Sequence, residues 1–185
     1  MATKFENYDC GNTGFGLRPY AALYAAAQTF TPEVRHSLTI LGVRIKKNGT
    51  PPAYYKIELR ETTNHLPTLV ILAEATFETA PITIDPGGEM KLVELDSLYV
   101  VEAGIEYAEV LIPVTDGDFN NTLFWYWQTL TNPYPRGDAC SRSGGPWEQQ
   151  ISCDAGFEEW GEPAPPVGAM GKVRGFDFRG RGFRP

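Results

Sequence analysis

Long apolar runs are missing from this 185-residue sequence. No stretch approaches the roughly 18 to 20 consecutive apolar residues that a membrane-crossing helix requires, so no membrane partner is expected. Helix formers are scarce as well. Only Tyr20 to Gln28 (YAALYAAAQ) collects them, and the Thr29-Phe30-Thr31-Pro32 that follows points away from a long helix and from a helical bundle. Histidine and cysteine number two and three, and no Cys-x-x-Cys pair occurs, which argues against a zinc site. His36 precedes an apolar run and His65 falls in a turn, so neither sits in a motif that would activate a nucleophile. We therefore expect a non-enzymatic protein with no catalytic residues. Positive charge is also short: 16 basic against 23 acidic residues give a net charge of −7, which argues against a body that binds nucleic acid or an anionic membrane. The opening MATKFENYDC places Lys4, Glu6 and Asp9 where the apolar core of a secretory leader would stand, and the expectation is a product made in a cytosol without a signal peptide.

What is present is turn chemistry and alternation. The chain holds 19 glycines, 15 prolines and 12% aromatic residues. Strand signals recur at short spacing. In Ser37 to Lys46, Leu41, Val43 and Ile45 share one face, and in Tyr54 to Arg60, Tyr55, Ile57 and Leu59 alternate with Lys56, Glu58 and Arg60. Further runs cover Val70 to Phe77, Met90 to Val100, Ile105 to Val114, Leu123 to Leu130 and Ile151 to Trp160. Asn48-Gly49, Thr62 to Pro67, Asp85-Pro86-Gly87-Gly88 and Ala103-Gly104 punctuate them. The fold class expected is all-β, an antiparallel sandwich or barrel of about seven to nine short strands.

The ordered series of short motifs resembles one family. It runs from Gln28-Thr29-Phe30 through Val43-Arg44-Ile45, Ile57-Glu58-Leu59-Arg60, Leu66-Pro67, Leu72-Ala73 and Ala103-Gly104-Ile105-Glu106-Tyr107. It ends with Trp125-Tyr126-Trp127, Asn132-Pro133-Tyr134, Gly144-Gly145-Pro146-Trp147 and Asp154-Ala155-Gly156-Phe157. This is similar to the jelly-roll β-sandwich modules of prokaryotic surface proteins and bacteriophage virion proteins. The resemblance spans about Tyr24 to Trp160 and implies a jelly-roll-like sandwich, a virion or otherwise extracellular, surface-associated setting, and no catalysis. Gly156 departs from it, because a strand residue is usual before the final aromatic, so the last strand is expected to bend or to be stapled.

On these grounds residues 1–23 are expected as an N-terminal arm, 24–160 as the jelly-roll domain, and 161–185 as a Pro-rich linker and basic tail. From Gly171 onward five basic residues face only Asp177, a local balance of +4, so the residues before it carry −11. Within the tail, Arg174, Phe176, Phe178, Arg179, Arg181, Phe183 and Arg184 interleave cations with aromatic rings. Such a segment can grip a neighbouring protein, with Phe in pockets and Arg on carboxylates. Single-stranded nucleic acid is the weaker alternative, and only for the tail. The acidic body makes another copy of the same chain a sensible partner.

Phe124-Trp125-Tyr126-Trp127 must split two and two across a strand. One pair fills the core, and the other either lies outside as an apolar patch or is covered by a loop. Trp125 and Trp127, with Tyr134 and Trp147, are accordingly candidate stacking residues for a glycan. Cys140 and Cys153 flank a Gly/Ser-rich turn and could close a disulfide or stay reduced. Asp116, Asp118 and Asn120 alternate oxygen ligands on a loop; the pattern suits Ca²⁺ or a solvated Asx-rich turn, and no other cofactor is indicated. The reading taken forward is a structural interaction protein, a capsid decoration or head or tail accessory protein of a phage virion held to neighbouring subunits by its ends. A carbohydrate-binding module is the alternative.

Overall fold

Period-two alternation builds the whole body. The structure, a computed structural model, describes residues 2–11, 16–129 and 134–164, and among them there is no helix. Thirteen strands among the described residues form two antiparallel sheets, an all-β sandwich. The larger sheet runs β1 (Thr3–Tyr8), β13 (Phe157–Pro163), β4 (His36–Asn48), β9 (Thr122–Thr129), β12 (Cys153–Ala155), with β2 (Gly16–Leu17) on β9 and β7 (Glu89–Val101) on β4. The smaller sheet runs β11 (Glu148–Gln150), β10 (Ala139–Ser141), β3 (Ala26–Phe30), β8 (Tyr107–Pro113), β5 (Tyr54–Thr63), β6 (Leu66–Glu78).

Leu41, Val43 and Ile45 from one sheet meet Tyr55, Ile57 and Leu59 from the other in a single buried core, as their spacing foretells. Turn chemistry sorts the connections. Asn64 and His65 both take positive φ, the geometry of a two-residue hairpin loop between β5 and β6. Asn48-Gly49 carries the hairpin dipeptide, with Gly49 alone at positive φ, yet joins β4 to β5 in different sheets, so it turns the chain across the sandwich rather than into a hairpin.

Two expectations change here, the N-terminal arm and the start of the linker. Residues 1–23 are not an arm outside the fold: Thr3–Tyr8 pairs with β13, Gly16–Leu17 pairs with β9, and Leu17 and Cys10 are buried. Backbone donors along the outer side of β13 need partners, and β1 supplies them. Tyr20 to Gln28 is not helical; Ala26–Phe30 lies wholly buried between β8 and β10, where small Ala side chains let neighbouring layers close in. The final strand is broken as Gly156 suggested. β12 pairs with β9 and β13 with β4, and at the switch the Gly156 carbonyl accepts from Arg44 N and Trp125 Nε1. The last strand also continues to Pro163, three residues into the segment expected as linker.

The interior is not purely apolar. Gln28 on β3 reaches across to the other sheet, donating to Asp154 Oδ1 at 2.9 Å and accepting from Ala155 N at 2.6 Å. Asp154 Oδ2 accepts from Tyr134 N, and Tyr134 donates its hydroxyl to Glu6, which also pairs with Arg136. Next to it His36 Nε2 and Glu159 Oε1 sit 2.6 Å apart, both fully buried, as a close ion pair without the alignment of a hydrogen bond. Glu109 on β8 is fully buried with neither oxygen partnered.

Burial drives the carboxyl groups of Glu6, Glu109 and Glu159 upward, and Asp154 to about 6; the Glu159 charge adds to the effect on Glu109. Burial opposes charge on His36, but the Glu159 contact outweighs it and raises that group too. All five shifts are upward, so each group contributes stability that is complete below its unfolded pKa and declines as pH rises through its folded one. For Asp154 that window runs from 3.8 to about 6, and for His36 it begins at 6.5. The melting temperature should therefore fall from about pH 5 to about pH 8. Glu109→Gln should flatten that slope and raise the value at the alkaline end, by roughly 2–4 °C per kcal/mol recovered. Thermal melts of both proteins across the range check this; a flat wild-type profile contradicts it.

Candidate functional site

A cleft of about 460 Å³ opens where β2, the loops around Tyr20 and Phe119, and β10 converge. Its size falls in the roughly 300–1,000 Å³ range of small-ligand sites. Tyr20 and Tyr24 stack at 4.4 Å, a pair held by a one-turn backbone loop in which Tyr24 N donates to Ala21 O. Phe119 stands edge-on to Tyr20 and is 55% exposed. Trp127, half-buried against the main core, forms part of the wall.

Two arginines reach the cleft. Arg18 lies over Phe119 at 4.3 Å and Phe124 at 5.5 Å, and spends one weak donor on the Phe119 carbonyl. Arg142 lies over Trp147 at 5.1 Å, donates to the Ala22 carbonyl, and keeps its buried Nε without a hydrogen-bond partner. Burial, then the nearby Arg60, lowers the Arg142 pKa. Neither arginine pairs with a carboxylate among the described residues.

The expected stacking residues part company. Trp125 is fully enclosed and bonded to Gly156, so it is core and offers no face to a ligand. Tyr134 is buried and donates to Glu6. Trp147 is half-buried on the outer face of the smaller sheet, packed against the cluster that includes Ala27, Val110 and Cys140, with its ring under Arg142. Only Trp127 reaches the cleft. The tryptophans of β9 are thus the inward pair, and Phe124 and Tyr126 the outward one. Cys10 and Tyr8 cover the latter, and Tyr126 donates its hydroxyl to Pro86 O in the turn at Asp85–Gly88. Arg18, Arg142, Tyr20, Tyr24 and Phe119 carry no motif; they come from three separate segments, and only the fold assembles them.

The loop of Asp116, Asp118 and Asn120 is an Asx-rich turn. Asp118 accepts from Asn121 Nδ2 and from the Asn120 and Asn121 amides, which lower its pKa, while Asp116 accepts from Ala22 N. The two carboxylates are thereby spent on different backbone segments. No cluster of three His, Cys, Asp or Glu residues suited to a metal occurs among the described residues. Arg174, Phe176, Phe178, Arg179, Arg181, Phe183 and Arg184 lie outside the described residues.

A second surface lies along one flank, where the edge strands β6 and β7 run side by side. Both bulge: β6 around Leu69 and Val70 against β5, and β7 around Leu98 against β4. The bulges thrust apolar side chains into solvent, Leu69 at 84% and Leu98 at 70% exposure, with Val70 and Ile71 beside them. Glu61 on β5 and Glu94 and Asp96 on β7 are exposed as well. Bulged edges resist strand addition, so the ridge offers side chains rather than backbone.

Comparison with known proteins returns neither a matching family model nor a matching curated protein.

Cys140 and Cys153 form no disulfide. Cys140 packs in the cluster on the outer face of the smaller sheet, whereas Cys153 rests against the core between the sheets, so the thiols lie on opposite sides of that sheet. Burial pushes Cys10 up to about 11 and Cys140 up to about 12. A disulfide-exchange reagent should therefore modify only Cys153 readily in the native protein and all three thiols after denaturation; mass spectrometry reads the count. Ready native modification of Cys140, or a Cys140–Cys153 crosslink, would contradict the placement.

Proposed function

We propose that this chain is a non-enzymatic interaction protein of a multi-subunit particle, most concretely a phage virion accessory or decoration protein. The observation that carries the reading is the set of exposed aliphatic side chains Leu69, Val70, Ile71 and Leu98 on two bulged edge strands, which together with β5 also expose Glu61, Glu94 and Asp96. Contiguous exposed apolar side chains on a folded domain mark an interaction surface. The exposed acids on these strands match a basic, Phe-bearing partner, and residues 171–185 of a neighbouring copy have that composition. In this arrangement phenylalanines fill the gaps between aliphatic side chains while arginines meet the carboxylates, and each copy both gives a tail and receives one. The resemblance to jelly-roll modules of virion proteins supports the setting.

A second reading, a carbohydrate-binding module, is favoured by the placement of Trp127 in an open aromatic cleft beside Tyr20 and Tyr24. The two readings use different surfaces and are compatible, since a virion protein can also bind host glycans.

Sedimentation and particle incorporation test the first reading. Full-length protein should self-associate, and both Leu69→Asp with Leu98→Asp and deletion of residues 165–185 should return it to a monomer with an unchanged melting temperature. Loss of a desolvated aliphatic contact at about 1–3 kcal/mol per side chain lowers affinity roughly 10-fold or more per site. Full incorporation of the truncated chain into its particle would dismiss the tail as the anchor.

A further inference from the structure

We propose that the aromatic cleft is a site for an acidic saccharide, with Arg18 and Arg142 as the carboxylate-reading pair. The inference rests on the carbohydrate-binding reading and adds a ligand class to it. Its basis is the state of the two guanidinium groups. In a chain of net charge −7, most described arginines find carboxylates: Arg35 pairs with Glu102, Arg44 with Asp9, Arg60 with Glu58, and Arg136 with Glu6. Arg18 and Arg142 instead rest on aromatic faces and on single backbone carbonyls. Stacking has already restricted both side chains, so little further conformational entropy is lost when an anion arrives. Arg18 keeps most of its planar donors free, the fork that recognises a carboxylate through two parallel bonds.

The rest of the cleft suits a pyranose ring. Such a ring has apolar C–H faces and hydroxyl edges. Trp127, Phe119 and the Tyr20–Tyr24 stack supply flat apolar surface, and the exposed Ser143 at the rim supplies a hydroxyl. A cleft of about 460 Å³, open on one side, holds one or two sugar units of a longer chain and lets the remainder leave. A neutral glycan would use the rings and leave the cations idle. A free phosphate would use the cations and leave the rings idle. A sugar carboxylate uses both.

Affinity electrophoresis and calorimetry on the full chain test this, with polygalacturonate, alginate and a sialylated oligosaccharide as acidic probes and dextran and galactan as neutral ones. The expected result is retardation by at least one acidic probe and weaker or no retardation by the neutral pair. Added salt should weaken it. Arg18→Gln and Arg142→Gln should each lower affinity roughly 10-fold or more, in line with loss of a charge-assisted bond, and Trp127→Ala should lower affinity for every probe. Melting curves verify folding; Arg18→Gln, at the more open position, carries the test should Arg142→Gln unfold. Equal binding of neutral and acidic probes, unchanged in Arg18→Gln, overturns the acidic specificity and leaves the glycan reading standing. Failure of all five probes at millimolar concentration overturns both. Capture of peptides through a free terminal carboxylate, lost in Arg18→Gln and without saccharide binding, overturns the inference in favour of a protein ligand.

Discussion

Gln28 couples the two sheets through polar atoms rather than through apolar contact alone. Its amide is buried, and an amide there must be bonded or the fold loses about 1–3 kcal/mol for each group left alone. The groups available are the Asp154 carboxylate and the Ala155 amide on the opposite sheet. Hydrogen bonds have fixed length and direction, whereas aliphatic packing tolerates sliding. Gln28 therefore sets the register between β3 and β12, and everything attached to β12 inherits it. Asp154 passes the constraint to Tyr134, Tyr134 to Glu6, and Glu6 to Arg136 and the Glu33 amide. One chain of polar contacts so links the N-terminal strand, the interior and the loop after β9.

The same interior explains why charge accumulates where apolar residues would pack more simply. Glu6, Glu159 and His36 face inward from one sheet, and Gln28 and Glu109 from the other. Two buried carboxyls near one another cannot both ionise cheaply, and the low-dielectric surroundings raise all of them. Such a cluster is weak evidence of stability, since apolar replacements of equal volume are often as good. The hydrogen bonds of Gln28, Asp154 and Glu6 favour one register, whereas Glu109 lacks a hydrogen-bond partner even in this one. None of the cluster's residues lines the cleft, which keeps the two apart.

The cleft and the ridge are consequences of where the sheets end. At one end of the sandwich the strands run out, and loops carrying Tyr20, Phe119 and Arg142 close the gap incompletely. Along one flank the edge strands bulge instead of pairing, and the apolar side chains that would have entered a longer core stand in solvent. Opposite chemistry follows: aromatic and cationic at the end, aliphatic and acidic on the flank. A protein with two such surfaces can meet a different partner with each.

Alternation alone determined the all-β class. Tyr55-x-Ile57-x-Leu59 and Leu41-x-Val43-x-Ile45 read correctly because a half-buried strand has one inner and one outer face, and a local pattern records that directly. The two-and-two split of Phe124 to Trp127 was legible for the same reason, but not which pair would be covered. That depended on Cys10, Tyr8 and the turn at Asp85–Gly88, all distant in sequence. Pairing partners were equally hidden: β1 looked like a free arm because its role is to satisfy β13, more than 140 residues away. The separation of Cys140 from Cys153, the enclosure of Trp125, and the meeting of Arg18 with Arg142 were decided only by tertiary structure. A strand's own residues say which way its side chains point; what they point at is set by the neighbour that long-range pairing brings.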